Sequence, residues 1–197
     1  MGLKIDPFEM PAPERDEAPG TGDRRIVLGG GCFWCTEAVY LQLDGVKSVR
    51  PGYAGGTKET ADYKTVCTGK TDHAEVIEIV YDRAKIGLGT ILQTFFSIAH
   101  DPTQKDRQGN DIGRQYRSVV FYSDDEQRDV TRNYIRQIGQ LYDSAIVTEI
   151  APLVEFFEAE AYHHNYAALN PEQPYIRAAA APKVAKLKKA RPDLLKS

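Results

Sequence analysis

The chain is poor in the residues that build covalent or membrane scaffolds. Of its 197 residues only three are cysteine, Cys32, Cys35 and Cys67. Three are too few for a disulfide-stapled domain. An odd count with one CxxC pair fits a reducing compartment where thiols do chemistry, so a cytoplasmic location is expected. No apolar run reaches membrane-spanning length, and residues 1–20 hold no apolar signal-peptide core. The opening MGLKID lacks the Ser or Thr of a myristoylation signal, so no membrane partner is expected. Basic excess is also missing. The net charge of −3 leaves nothing to neutralise phosphates and argues against nucleic acid as the main partner. Methionine occurs only at positions 1 and 10, and tryptophan only once, at Trp34.

What is present reads as one domain with tails. Residues 1–22 alternate prolines with acids (Pro7, Pro11, Pro13 and Pro19 among Asp6, Glu9, Glu14, Asp16 and Glu17), the composition of a disordered arm. Both methionines fall in it, which leaves the domain without an internal thioether. Residues 23–176 form the expected catalytic domain, and residues 177–197 a basic tail packed on it or trailing from it. A short buried-type strand, RIVLGG, leads into a helix from Phe33 to Leu43 that Gly45 ends. VKSVRPGYAGG, HAEVIEIVYD, YRSVVFYS and IVTEIAPL read as further strands. Helices are expected over Ile86–His100 by apolar spacing, over residues 124–144 behind an Asp124 or Asp125 cap, and over Glu155–Leu169. Residues 57–72 and 101–115 read as polar loops, and a loop as long as the second is more often functional than accidental. The irregular interleaving predicts an α+β two-layer sandwich with a mixed, largely antiparallel sheet and a ferredoxin-like core.

The stretch GGGCFWCTE carries the chemistry. Cys32 stands between a glycine run and a helix start, where unpaired N–H groups and the positive dipole end favour a thiolate. Phe33 and Trp34 fit either core packing or a wall for a small apolar group. Alternation puts Glu75 on the face of Ile77, Ile79 and Tyr81, where apolar neighbours raise a carboxyl pKa; the competing reading turns it outward at the strand end. Tyr63 is a hydroxyl donor or a packing residue. Asp101, Asn110, Asp111, Gln115 and Tyr116 belong to or flank the second loop. Cys67 reads as a small buried hydrophobe. Cys32, Cys35, Cys67 and His73 could be written as a zinc set, but only one pair has ligand spacing, and no metal or cofactor is expected. His163 and His164 adjoin on an expected helix, so their side chains diverge and share no metal.

Together these runs resemble the A-type methionine sulfoxide reductases. GCFWCTEA matches that family's GCFW-x-x-E signature. GYAGG, DYKTVCTGKTDHAEVIEIVYD, HDPTQKDRQGNDIGRQYRS and EFFEAEAYHHNY follow in the family's order across residues 25–176. The resemblance implies Cys32 as nucleophile, Glu75 as acid, Tyr63 and Tyr116 as donors to the sulfoxide oxygen, and Asp111 as a supporting carboxylate. It also implies a cradle for the substrate methyl made by Phe33 and Trp34, and the S epimer of methionine sulfoxide, free or in proteins, as substrate. The chemistry agrees, because sulfoxide reduction needs a thiolate, a neutral acid and hydroxyl donors. Many members carry resolving cysteines near the C-terminus and glycine where Cys35 stands; this chain has no cysteine after Cys67. Cys35 is expected to resolve the Cys32 sulfenic acid, since i and i+3 in a first helical turn suit a disulfide. Thioredoxin or a similar dithiol would then reduce the bond. Cys67, or direct attack by the reductant, are the rivals. The chain is expected to act as a monomer. A thioredoxin-like disulfide oxidoreductase also uses a CxxC at a helix start, but leaves Glu75 and the NDIGRQYRS loop unexplained.

Overall fold

The computed structural model describes residues 2–197. In chain order the elements are β1 (Asp23–Gly30), α1 (Phe33–Tyr40), β2 (Val46–Ala54), α2 (Tyr63–Val66), β3 (Ala74–Asp82), α3 (Leu88–Thr94), the short strands β4 (Arg107–Gln108) and β5 (Asp111–Ile112), β6 (Ser118–Tyr122), α4 (Asp125–Ile138), β7 (Glu149–Pro152), β8 (Phe156–Glu158), α5 (Tyr166–Leu169) and α6 (Ala181–Ala190). Six strands form one sheet in the order β7-β6-β1-β3-β2-β8. Every pairing is antiparallel except β6 with β7. Its four central strands, β6-β1-β3-β2, are joined as β1-α1-β2 and β3-α3-β6, two interleaved βαβ crossovers. This is the ferredoxin-like core of the α+β expectation.

Strand alternation builds two unequal faces. Ile26, Leu28, Ile77, Ile79 and Tyr81 point into the main core, against Val39 and Tyr40 of α1, Ile91 and Leu92 of α3, and Val130 and Tyr134 of α4. Val27, Val76, Val119 and Phe121 point the other way, into a smaller cluster covered by Ala151, Leu153 and Phe156. Asp124 caps α4, accepting from the Gln127 N–H at 2.9 Å.

The acidic arm is not disordered, which corrects the composition reading. Met1 lies outside the described residues, but residues 2–22 pack on the domain. Met10 is 2% exposed within the main core, so the domain does hold a thioether. The acids have a local purpose. The residue preceding α3 is Gly87, which has no side chain to cap the helix. Glu17 accepts the Leu88 N–H at 2.8 Å and Asp16 the Gly89 N–H at 2.9 Å in its place. Net acidity thus marked remote helix caps rather than solvation.

Other boundaries also move. The helix expected over Ile86–His100 begins at Leu88 and ends in a π turn, Phe95–Ala99. The 57–72 loop contains α2, capped by Asp62. The 101–115 loop contains the β4–β5 hairpin. In place of a helix over Glu155–Leu169 stand β8, a 3-10 turn at Ala161–His163, and α5. In the C-terminal segment the Lys183 and Lys186 ammonium groups donate to the carbonyls of Ala99 and Ser97, at the end of the π turn.

Candidate active site

The site begins where β1 gives way to α1. Gly31 sits at φ +88°, and a Cβ there would lie 2.7 Å from the Gln108 side chain. Only glycine makes this turn without strain. Cys32 follows as the residue preceding α1, half-buried. The first helical N–H, that of Phe33, donates to Glu75 Oε2 at 3.1 Å. Glu75 comes from β3, is 2% exposed, and faces the core side as alternation required. Burial pushes its carboxyl up to about 8, against the lowering effect of the Phe33 N–H. The charges that act on it are those of Asp111 and Cys35, and no cation pairs with it among the described residues. It is a buried acid that keeps its proton at neutral pH.

Seven of the eight residues expected at the site line one cavity of about 260 Å³: Cys32, Phe33, Trp34, Tyr63, Glu75, Asp111 and Tyr116. They come from α1, α2, β3, β5 and the turn after β5. Burial raises both the Tyr63 and Tyr116 phenols above their ordinary range, and the Glu75 charge adds to this. Both therefore remain hydroxyl donors. Phe33 is buried and stacks over Tyr63 at 6.4 Å between centroids, so it serves the core as well as the cavity. Trp34 is part-exposed and flanked on one face by Tyr166, 3.9 Å away and nearly coplanar.

The eighth residue, Cys35, is 1% exposed and lies behind this cavity. With Cys32 it lines a second, larger cavity of about 510 Å³, shared with Asp101, Gln108, Asn110 and Lys183. The two thiols form one electrostatic unit. Burial raises the Cys32 thiol well above its usual value, so desolvation outweighs the helix start that was expected to favour a thiolate. A hydrogen bond from Cys32 brings the Cys35 thiol down to about 7, helped by the Lys183 charge.

The sequence reading missed several residues that hold this arrangement. Tyr175 donates to Asp111 Oδ2 at 2.5 Å and accepts from the Cys35 thiol at 3.8 Å. It stood one residue inside the expected domain end, in a run with no periodic signal. Glu160 accepts from the Tyr53 hydroxyl at 2.9 Å and from the Tyr63 N–H at 3.1 Å. His163, read only as a metal candidate, is fully buried and accepts the Trp34 indole N–H at 2.9 Å. Glu37, the last residue of the signature run, accepts the Asn165 N–H and anchors the same segment to α1. The EFFEAEAYHHNY block is thus a clasp on the aromatic wall. Its two histidines are not in a common helix, and His164 turns outward to Glu158.

One reading is corrected. Cys67 is exposed at the end of α2, not buried, because that short helix runs along the surface. The zinc set does not assemble: both ring nitrogens of His73 engage backbone groups of Gly56 and Thr57, and the described residues hold no cluster of three or more metal-binding side chains.

A thiol at a helix start beside a protonated carboxyl and an aromatic cavity is the equipment of a cysteine-dependent oxidoreductase. Comparison with known proteins narrows the class. The family model described as peptide methionine sulfoxide reductase matches residues 24–194. The chain is 50% identical over 170 residues to the peptide methionine sulfoxide reductase MsrA of Trichodesmium erythraeum, covering 85% of this chain and 96% of that protein. It is 48% identical to the Saccharolobus solfataricus protein of the same name, over 86% of this chain and 95% of the relative. Among solved structures, reduced Mxr1 from Saccharomyces cerevisiae matches with a TM-score of 0.74 at 34% identity, over 84% of this chain and 94% of that one. Mxr1 has also been solved in complex with Trx2, a form that matches at a TM-score of 0.53 and 26% identity over 81% and 94% of the two chains. The chain belongs to the peptide methionine sulfoxide reductase family.

Proposed function

We propose that this enzyme reduces the S epimer of methionine sulfoxide, free or in proteins, with Cys32 as nucleophile and Glu75 as the acid. The observation that carries the reading is the Glu75 carboxyl, buried and protonated, hydrogen-bonded to the first N–H of the helix that begins at Cys32. The sulfoxide methyl lies against Phe33 and Trp34, and its oxygen takes hydrogen bonds from Tyr63 and Tyr116. As Cys32 gives up its proton and attacks sulfur, Glu75 protonates the oxygen, leaving a transient sulfur–sulfur bond and an S–OH group. The hydroxyl passes to the Cys32 sulfur as the bond between the two sulfurs breaks, so methionine leaves with two more electrons and Cys32 holds a sulfenic acid. Asp111 supports the charge at the cavity rim.

Cys35 then attacks the Cys32 sulfur and water departs, leaving a Cys32–Cys35 disulfide. The lowered Cys35 thiol supports this assignment. The exposed Cys67, at the surface end of α2, is the weaker candidate. Thioredoxin or a similar dithiol restores the two thiols by exchange. Three free cysteines suit work as a monomer in the reducing cytoplasm, repairing proteins under oxidative stress; no partner membrane or nucleic acid enters the reading.

Turnover of the separated epimers with a dithiol reductant tests the proposal. Only the S epimer should react. Turnover of the R epimer at a comparable rate, or insulin reduction in place of sulfoxide reduction, would overturn it.

A further inference from the structure

Cys32, Asp111 and Tyr175 are the three residues that line both the front and rear cavities. They form the wall between the chamber that would hold the sulfoxide and the chamber that reaches Cys35. Tyr175 is held there by the segment that follows it. Ile176 and Ala180 bury against Cys35 and Ala38 of α1, and the Gln173 side chain accepts the Ile176 N–H at 2.9 Å. The Tyr175 hydroxyl has a defined polarity. Its proton points to Asp111 Oδ2 at 2.5 Å, so its lone pairs are free to accept the Cys35 S–H at 3.8 Å. Cys35, Tyr175 and Asp111 therefore form a line of groups along which one proton can enter at the thiol and another leave at the carboxylate.

We propose that Tyr175 is a catalytic residue of the resolving step, relaying the proton of Cys35 to Asp111. The inference rests on the reading of Cys35 as the resolving thiol. As Cys35 sulfur bonds to Cys32 sulfur, its proton passes to the Tyr175 oxygen and the phenol proton passes to Asp111. The Cys32 S–O bond breaks, and the departing hydroxyl takes the proton from Asp111 in the front cavity. One thiol and one sulfenic acid become one disulfide and one water, with no net gain or loss of protons. Burial and the nearby thiol charges keep the phenol protonated, so it acts as a bridge rather than as a standing phenolate. The charged and titratable groups facing Cys35 are Cys32 and Glu75 on the substrate side, Tyr175 and Asp111 in the shared wall, and Lys183 from α6.

The test is a rapid-quench single turnover. Reduced enzyme is mixed with excess methionine S-sulfoxide without reductant, and released methionine and the Cys32–Cys35 peptide are both followed. In Tyr175→Phe the ring and wall remain but the relay is cut. Disulfide formation should slow by about 10²-fold at mildly acidic pH, where Cys35 keeps its proton, the scale of a lost proton-transfer group. The deficit should shrink as pH rises through about 7, where Cys35 ionises without help. In wild type the disulfide step should slow in D₂O, with a curved dependence on deuterium fraction because more than one proton moves. Equal disulfide rates in the two enzymes would overturn the relay. So would a disulfide step that slows no more than methionine release does. A linear deuterium dependence in wild type would do the same even if the variant fails to fold. Absence of any Cys32–Cys35 peptide in wild type would instead sink the Cys35 reading on which the relay rests.

Discussion

Glu75 and Glu78 lie three residues apart on β3 and are equally buried, each 2% exposed, yet their surroundings share nothing else. Glu78 faces the smaller core and is met by two arginines. Arg50, directly across on β2, reaches it at 2.5 Å, and Arg25 on β1 at 3.2 Å. Glu75 faces the main core. Its partner across β2 is Tyr53, and the β1 pairing ends at Leu28–Ile77, before reaching it. No cation arrives there; a single backbone N–H does. Burial alone therefore does not make an acid. A buried carboxyl met by arginines is a brace, while one without them holds its proton.

The largest effect should appear at the thiol beside the unpaired carboxyl. Cys32→Ser should abolish methionine release, because an alcohol is a far weaker attacker of sulfur, while thermal melting shows the fold intact. Turnover near wild type would break the assignment of that end of the strand as the reactive one.

Glu75→Gln comes next. It removes the proton and keeps the shape, so kcat/KM should fall by about 10²-fold or more. The wild-type rate should decline as pH rises through about 8, where Glu75 ionises, and the variant should lack that limb. Stability carries the same sign. The native pKa is raised above the unfolded value, so the carboxyl's stabilising contribution is full below about 4.5 and is lost as pH rises through about 8. The Tm difference between Glu75→Gln and wild type should therefore shift in the variant's favour across that window and level off above it. A constant difference would remove Glu75 as a raised acid.

Glu78→Gln should do the reverse. Stability should fall by about 2 kcal/mol, because charged hydrogen bonds to Arg25 and Arg50 are weakened, while kcat of the folded enzyme holds. The check is denaturant unfolding beside steady-state kinetics. If activity falls as far as in Glu75→Gln, the contrast between brace and acid is wrong.

The smallest change tests the aromatic wall. Trp34→Ala should raise KM for a methyl sulfoxide about 10-fold, roughly 1.4 kcal/mol of lost contact, with little change in Tm. A variant that is chiefly unstable, with normal KM, would make Trp34 a core residue like Phe33.

The sequence made some of this legible and not the rest. The Cys32 environment depends on adjacent residues, a glycine turn and a helix start, so local pattern was enough. Strand alternation likewise assigned Glu75 to the apolar face. Tyr175, Glu160 and His163 escaped because their partners lie 64 to 140 residues away and follow no period. The acids of the arm were misjudged for the same reason. Their partners are the backbone N–H groups of α3, 71 to 73 residues on, and composition cannot distinguish a cap from a solvated charge.

By itself the sequence determined the setting of Cys32, the face of Glu75 and the α+β alternation, since each follows from bonds and spacings within one strand or one helical turn. Only the tertiary structure decided that Glu75 stays unpaired while Glu78 is braced, that Cys35 faces a second cavity, and that Tyr175 stands between them. Those facts depend on which strand ends first and which loop packs beside it, and such choices are made by the packing of the whole core, where no neighbouring residue records them.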